Sequence, residues 1–135
     1  MRAFLATPAR LLAGALLLAG PGAALLPSGA LAHHGWSWAE GEPFTLTGTV
    51  QEVYIGQPHP TLRVQTERDG VWTVELGNPR QTERAGFRDG TAKPGDRVTA
   101  LGNRSREAGE RRMKATRLTL DGRNYDIYPD RIGSR

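Results

Sequence analysis

Short runs of alternating apolar and polar residues, each closed by a turn signal, constrain this chain more than any other feature. Over residues 61–68, Leu62, Val64 and Thr66 share one parity and Arg63, Gln65 and Glu67 the other. A period of two puts such sets on opposite faces of a β-strand. Asp69-Gly70 then reads as a two-residue hairpin turn. The return run, 71–76, sets Trp72, Val74 and Leu76 against Val71, Thr73 and Glu75. Upstream, residues 44–54 are rich in β-branched side chains, and Phe44, Leu46, Gly48 and Val50 share a parity that Val53 leaves. This phase change near Gln51 predicts a bulge or bend, and Gly48 suits a tight bend. Downstream, Lys93-Pro94-Gly95-Asp96 launches a strand over 97–102. Residues 112–120 form the last clear strand, with Met113, Ala115, Arg117 and Thr119 alternating with Lys114, Thr116, Leu118 and Leu120. Asp121-Gly122 is a second hairpin signal before a short edge strand over 124–128.

One helix interrupts the strands. Gly77 ends the third run, Asn78 can cap a helix, and Pro79 suits its first position. The helix is expected to run to about Ala85, with Gly86 as its stop and Phe87 packed beneath it. The order is therefore three strands, a short helix, then two or three strands. That order predicts a mainly β fold, a five- to six-stranded OB-like Greek-key barrel with one short helix between strands three and four. A roll or open sandwich of the same strands is the alternative; closure removes the exposed edges of an open sheet.

The first 32 residues belong to another kind of segment. Arg2 and Arg10 make a basic start, residues 11–26 are almost wholly apolar, and Ala30-Leu31-Ala32 supplies a small-x-small triplet. This is the layout of a cleavable signal peptide. The expected division is a signal peptide over 1–32, an irregular N-terminal arm over 33–43, the OB-like domain over 44–128 and a C-terminal tail over 129–135, frayed from Arg131 onward. No cysteine follows the cleavage site to carry a lipid anchor, and the two leader arginines are not adjacent, which argues against twin-arginine export. No later apolar run is long enough to span a membrane. The expected address is a bacterial periplasm or the medium outside the cell.

Composition narrows the chemistry. The leader holds two arginines and no acid, so the remainder carries 16 basic and 14 acidic residues, nearly balanced. No Lys/Arg stripe interleaves with aromatics, so nucleic acid is not an expected partner. The chain has no cysteine, which removes disulfides, thiolate metal sites and cysteine nucleophiles. There is no G-x-S-x-G elbow and no phosphate-cradling loop. Carboxylates such as Glu52, Glu67 and Glu75 show no spacing that selects an acid–base pair, and strand-borne carboxylates are ordinarily solvated. No catalytic residue is assigned.

The three histidines are His33, His34 and His59. Cleavage after Ala32 makes His33 the first residue, with an amine and an imidazole able to chelate one ion. His59, between Pro58 and Pro60, can add a second imidazole, with His34 as the substitute donor. Three nitrogens in a T-shaped set suit Cu(II). The geometry is demanding: an extended arm of eleven residues reaches up to about 36 Å, and it must run back along the barrel to bring His33 to His59. The plainer alternative is that His34 and His59 are surface loop residues. Trp36 and Trp38 either pin the arm over the barrel or, with Trp72, form a stacking face for a ring. In an extended arm, two indoles at that spacing face the same way.

These motifs combine into a resemblance. His33-His34 directly after the leader, Leu46-Thr47-Gly48-Thr49-Val50, Pro58-His59, Gly77-Asn78-Pro79 and the stretch 86–102 containing Lys93-Pro94-Gly95-Asp96-Arg97-Val98 resemble the exported bacterial family known as domain of unknown function 6152. Members usually read Asn-Pro-His where this chain has Gln57-Pro58-His59. The resemblance implies a small exported β-barrel domain and adds weight to His33, His34 and His59; it supplies no reaction. Two readings follow: a copper-binding protein for metal handling or sensing, and a metal-free module holding a glycan, peptide or partner protein on an aromatic face. An oxidase using the same copper is a third.

Overall fold

The computed structural model describes residues 35–133. The expected leader, His33 and His34 lie outside them. The fold is mainly β: β1 (Ala39–Tyr54), β2 (Thr61–Gln65), β3 (Val71–Glu75), α1 (Pro79–Arg84), β4 (Arg97–Ser105), β5 (Arg112–Leu120) and β6 (Arg123–Asp126), followed by a 3-10 turn at Pro129–Arg131. The short helix falls between the third and fourth strands, as expected. Neighbouring strands run antiparallel in the order β3-β2-β1-β4-β5-β6, and β3 also pairs with β5 in parallel. Pairing thus follows the circuit β1–β2–β3–β5–β4–β1, with β6 added outside β5.

β1 is the longest strand because it serves two partners. Its upstream half pairs with β4, from Pro43↔Asn103 to Thr49↔Arg97. Its downstream half pairs with β2, from Thr49↔Gln65 to Tyr54↔Thr61. The register slips between Val50 and Glu52, so Gln51 is the extra residue that the change of parity predicts. Gly48 sits where the strand changes partner. A Cβ there would lie 2.2 Å from the Gln65 carbonyl oxygen, so only glycine permits the approach. The arm expected to be irregular up to Pro43 is already strand from Ala39, held by the Arg106 guanidinium on the Ala39 carbonyl at 2.7 Å.

The core is built from the inward parities: Leu46, Val50, Leu62, Val64, Trp72, Val74, Leu76, Met113, Ala115 and Leu118 are all buried. Each fully buried Leu or Val contributes about 1.5–3 kcal/mol. β5 departs from simple alternation. Leu101 pairs with Arg117 but Gly102 with Ala115, leaving Thr116 as an extra residue. Met113 and Ala115 therefore face inward upstream of it, and Leu118 and Leu120 downstream, across two parities. The Thr116 carbonyl accepts from the N–H groups of Ile127 and Tyr128, which fastens the chain beyond β6 to this bulge.

The local signals act as their chemistry requires. The Asn78 side chain accepts from the Gln81 N–H at 2.9 Å, Pro79 opens α1, and Gly86 follows it at φ 87°. Phe87 is buried edge-on against Tyr125. Asp121 and Gly122 both adopt positive φ between Leu120 and Arg123, a two-residue hairpin turn. The β2–β3 connection is longer than the two-residue turn expected at Asp69-Gly70. β2 ends at Gln65, and the Thr66 N–H donates to the Gly70 carbonyl at 2.9 Å. The Thr66 hydroxyl also accepts from the Asp69 N–H, and that bond favours the wider turn.

Candidate functional site

The seam where β3 meets β5 places Glu75 opposite Lys114. On the inward face of this pair lie Val74 and Met113; on the outward face lies a buried polar cluster. Lys114 is fully buried, and Glu75 is only 5 % exposed. The Lys114 ammonium donates to one carboxylate oxygen of Glu75 at 2.8 Å, and the Arg112 guanidinium donates to the other. Glu75 departs from the solvated strand carboxylate expected of it, because the chain before β1 and the segment after β6 both cover this face.

Those covers are aromatic. Residues 35–38 form a turn and are not extended, yet both indoles reach cations two positions apart on β5. Trp38 lies under Arg112 at 3.8 Å, and Trp36 lies 5.7 Å from the Lys114 ammonium. Trp36 also packs edge-on against Tyr128 at 4.8 Å and under Arg131 at 4.1 Å. The residues expected to fray from Arg131 onward thus begin with a side chain clamped on the arm. Cation–π contacts of this kind are worth about 0.5–2 kcal/mol each.

Two ionisations are displaced. Burial pushes the Glu75 carboxyl up, but its bonds to Arg112 and Lys114 and their charges outweigh that and hold it below the ordinary glutamate value. Burial first, and the Glu75 charge second, push the Tyr128 phenol up to about 12, with Arg131 opposing.

His59 borders the same cluster. It lies two residues before Thr61, whose strand partner is Glu75. Pro60 is buried, and its carbonyl accepts from the Leu76 N–H at 2.9 Å, which fixes the loop against β3. His59 Nε2 faces the Glu75 carboxylate at 3.8 Å. Its Nδ1 is buried and has no hydrogen-bond partner among the described residues. At 3.8 Å the Nε2 contact is an ion-pair approach, too long for a hydrogen bond.

The arm ends beside this cluster. From β1 the chain runs along β4, turns at residues 35–38, and brings Gly35 to where a Cβ would lie 3.9 Å from the Lys114 ammonium. The fold therefore brings His59 and Gly35 to one place, with Glu75, Lys114 and Arg112 between them. Sequence reasoning missed those three; only the parallel β3–β5 pairing joins residues so distant along the chain. Among the described residues, no three His, Cys, Asp or Glu side chains gather as a metal site, and no helix is long and apolar enough to cross a membrane. Trp72 takes no part in the cluster. It faces the core at 5 % exposure, beside Phe44, at the other end of β3.

The family model described as "Family of unknown function (DUF6152)" matches residues 23–114. No curated protein matches the chain.

Proposed function

The chain belongs to this family of unknown function, and from that premise we propose that it is an exported, OB-like barrel protein that binds copper through His59 and the histidines at the start of its mature chain. The observation that carries the reading is the state of the His59 ring: Nδ1 buried and unpartnered, Nε2 turned to a carboxylate. Metal-bound histidines characteristically give their second ring N–H to a carboxylate or carbonyl, which fixes tautomer and direction. Glu75 stands 3.8 Å from Nε2, beyond hydrogen-bond distance, and would take that role by closing on the ring; it is itself held by Lys114 and Arg112.

Chain length supports the same site. Consecutive Cα atoms are 3.8 Å apart, so two peptide links back from Gly35 give donors at positions 33 and 34 a reach of up to about 8 Å. Gly35 borders Lys114, and Lys114 binds the carboxylate that His59 faces. The obstacle of an arm running away from His59 disappears once it folds back at residues 35–38. Cleavage after Ala32 then supplies a free amine and an imidazole on His33, with His34 as the alternative donor.

Charge selects the metal. Glu75 faces both Lys114 and Arg112, so the cluster is already net positive. A hard ion such as Ca²⁺ or Mg²⁺, which depends on carboxylates, is disfavoured; a nitrogen-seeking ion such as Cu(II) is held by donation. Binding needs neutral imidazole, so it weakens in acid. The circuit of strand pairings supports an OB-like Greek-key barrel, because it returns to β1 and leaves only β6 as an added edge. The basic, apolar leader and the Ala30-Leu31-Ala32 triplet support export to the periplasm or beyond.

The test is Cu(II) titration of exported protein beginning at His33, beside a form with one extra leading alanine and a His59→Ala variant. Both changes are expected to weaken binding at least tenfold, the range of a lost ligand or its supporting partner. Equal affinity in all three removes the copper reading.

A further inference from the structure

A second cleft, sharing no residue with the Glu75 cluster, opens where β1 parts from the β2–β3 hairpin. Pairing between β1 and β2 begins only at Thr49. Upstream of it, the flank of β1 turned away from β4 has no strand partner, and the hairpin tip curls past it. The cavity between them has a volume of about 360 Å³, within the roughly 300–1,000 Å³ of small-ligand sites. Its apolar wall is Phe44, Leu46 and Trp72.

Three features of the lining specify a ligand. Arg104 lays its guanidinium 4.4 Å over the Phe44 ring and 5.7 Å from Trp72. Among the described residues no carboxylate lies within ion-pair distance of it, whereas Arg97 on the same cleft is bridged to Glu67 at 3.5 Å. Trp72 is 5 % exposed, and its indole N–H has no acceptor. A stacked guanidinium presents its N–H edge outward in the plane that a carboxylate matches with two hydrogen bonds. Beyond Arg104 the lining carries Arg68 and Arg97 together with Glu67 and Asp69, so the cleft offers one net positive charge and matches one negative charge.

We propose that this cleft binds a monocarboxylate with a flat apolar body. The carboxylate pairs with Arg104, the body lies against Phe44 and Leu46, and a ligand oxygen takes the Trp72 N–H as Arg104 swings outward. The site is independent of copper, so it survives removal of metal and loss of His59.

The experiment is calorimetric titration of the exported protein, stripped of metal with a chelator, with phenylacetate, phenylacetamide and phenylmalonate. Phenylacetate is expected to bind, and the neutral amide and the dianion to bind at least about tenfold more weakly. Arg104→Gln is expected to lose about tenfold or more, because a charge-assisted bond disappears. Arg104 is exposed, so an unchanged thermal midpoint shows that this variant is folded. Trp72→Phe keeps the apolar wall and removes one donor, a loss of about fivefold. His59→Ala is expected to bind phenylacetate as the parent does. Equal binding of the amide, undiminished binding by Arg104→Gln, or no binding of phenylacetate overturns the proposal. None of these outcomes bears on copper.

Discussion

Lys114 is the residue most exposed to a single change elsewhere. Its ammonium is fully buried, its hydrogen-bonded carboxylate is Glu75 at 2.8 Å, and two rings at 5.7 and 5.9 Å complete its surroundings. Glu75→Gln keeps the shape and an acceptor oxygen but leaves that charge uncompensated. Breaking a buried pair in this way costs about 3 kcal/mol or more. Lys114→Met removes the other half, and Arg112 still pairs with Glu75, so the cost falls to about 2 kcal/mol. The double variant has no stranded ammonium, and its loss is expected to fall short of the sum by about 2 kcal/mol, within the range measured for contacting residues. Urea unfolding of all four proteins at pH 7 gives the cycle; heat unfolding of Glu75→Gln is expected about 12 °C or more below the parent. The parent also has a set acid dependence. The Glu75 carboxyl is held below its ordinary value of 4.5, so its contribution is complete above that pH and is lost as pH falls through the lower folded value. Lys114→Met is expected to flatten this decline. Additivity within about 0.5 kcal/mol, or a Glu75→Gln cost under about 1 kcal/mol, refutes the reasoning.

Other outcomes follow from the same geometry. Gly102→Ala would place a Cβ 2.0 Å from the Lys114 carbonyl oxygen, and Gly48→Ala one 2.2 Å from that of Gln65; both obstacles are backbone. Each is expected to cost about 3 kcal/mol in urea unfolding, whereas Gly41→Ala, with nothing within 4 Å, is expected to stay within about 0.5 kcal/mol. Ultraviolet titration is expected to show Tyr128 ionising at about 12. Glu75→Gln is expected to lower that value, because the carboxylate charge opposes the phenolate.

Much of the β framework was legible because its signals are local. The parity break at Gln51, the Asn78–Pro79 helix start, the Asp121-Gly122 turn and the span of β5 all arise from residues within a few positions of one another. Two of the departures have local reasons of another kind. Hydrogen bonds from Thr66 widened the first hairpin, and the Thr116 bulge switched the inward parity of β5. The first leaves no trace in hydropathy alternation; the second does, as the step from Met113 and Ala115 to Leu118 and Leu120. Of the candidate site, His59 was legible as a histidine between two prolines. The surroundings of its ring were not.

The sequence by itself determined most of the strand segments, where the helix starts, and that no thiol chemistry is available, since these depend on residue type and short-range spacing. Tertiary structure alone decided that Glu75 is buried and not solvated, that Lys114 and Arg112 are its partners, and that Trp36 and Trp38 cover them. The reason is that β3 and β5 meet in parallel across nearly forty residues of chain. A parity pattern assigns a side chain to the outer face of a strand; only the elements that later fold over that face decide whether water reaches it.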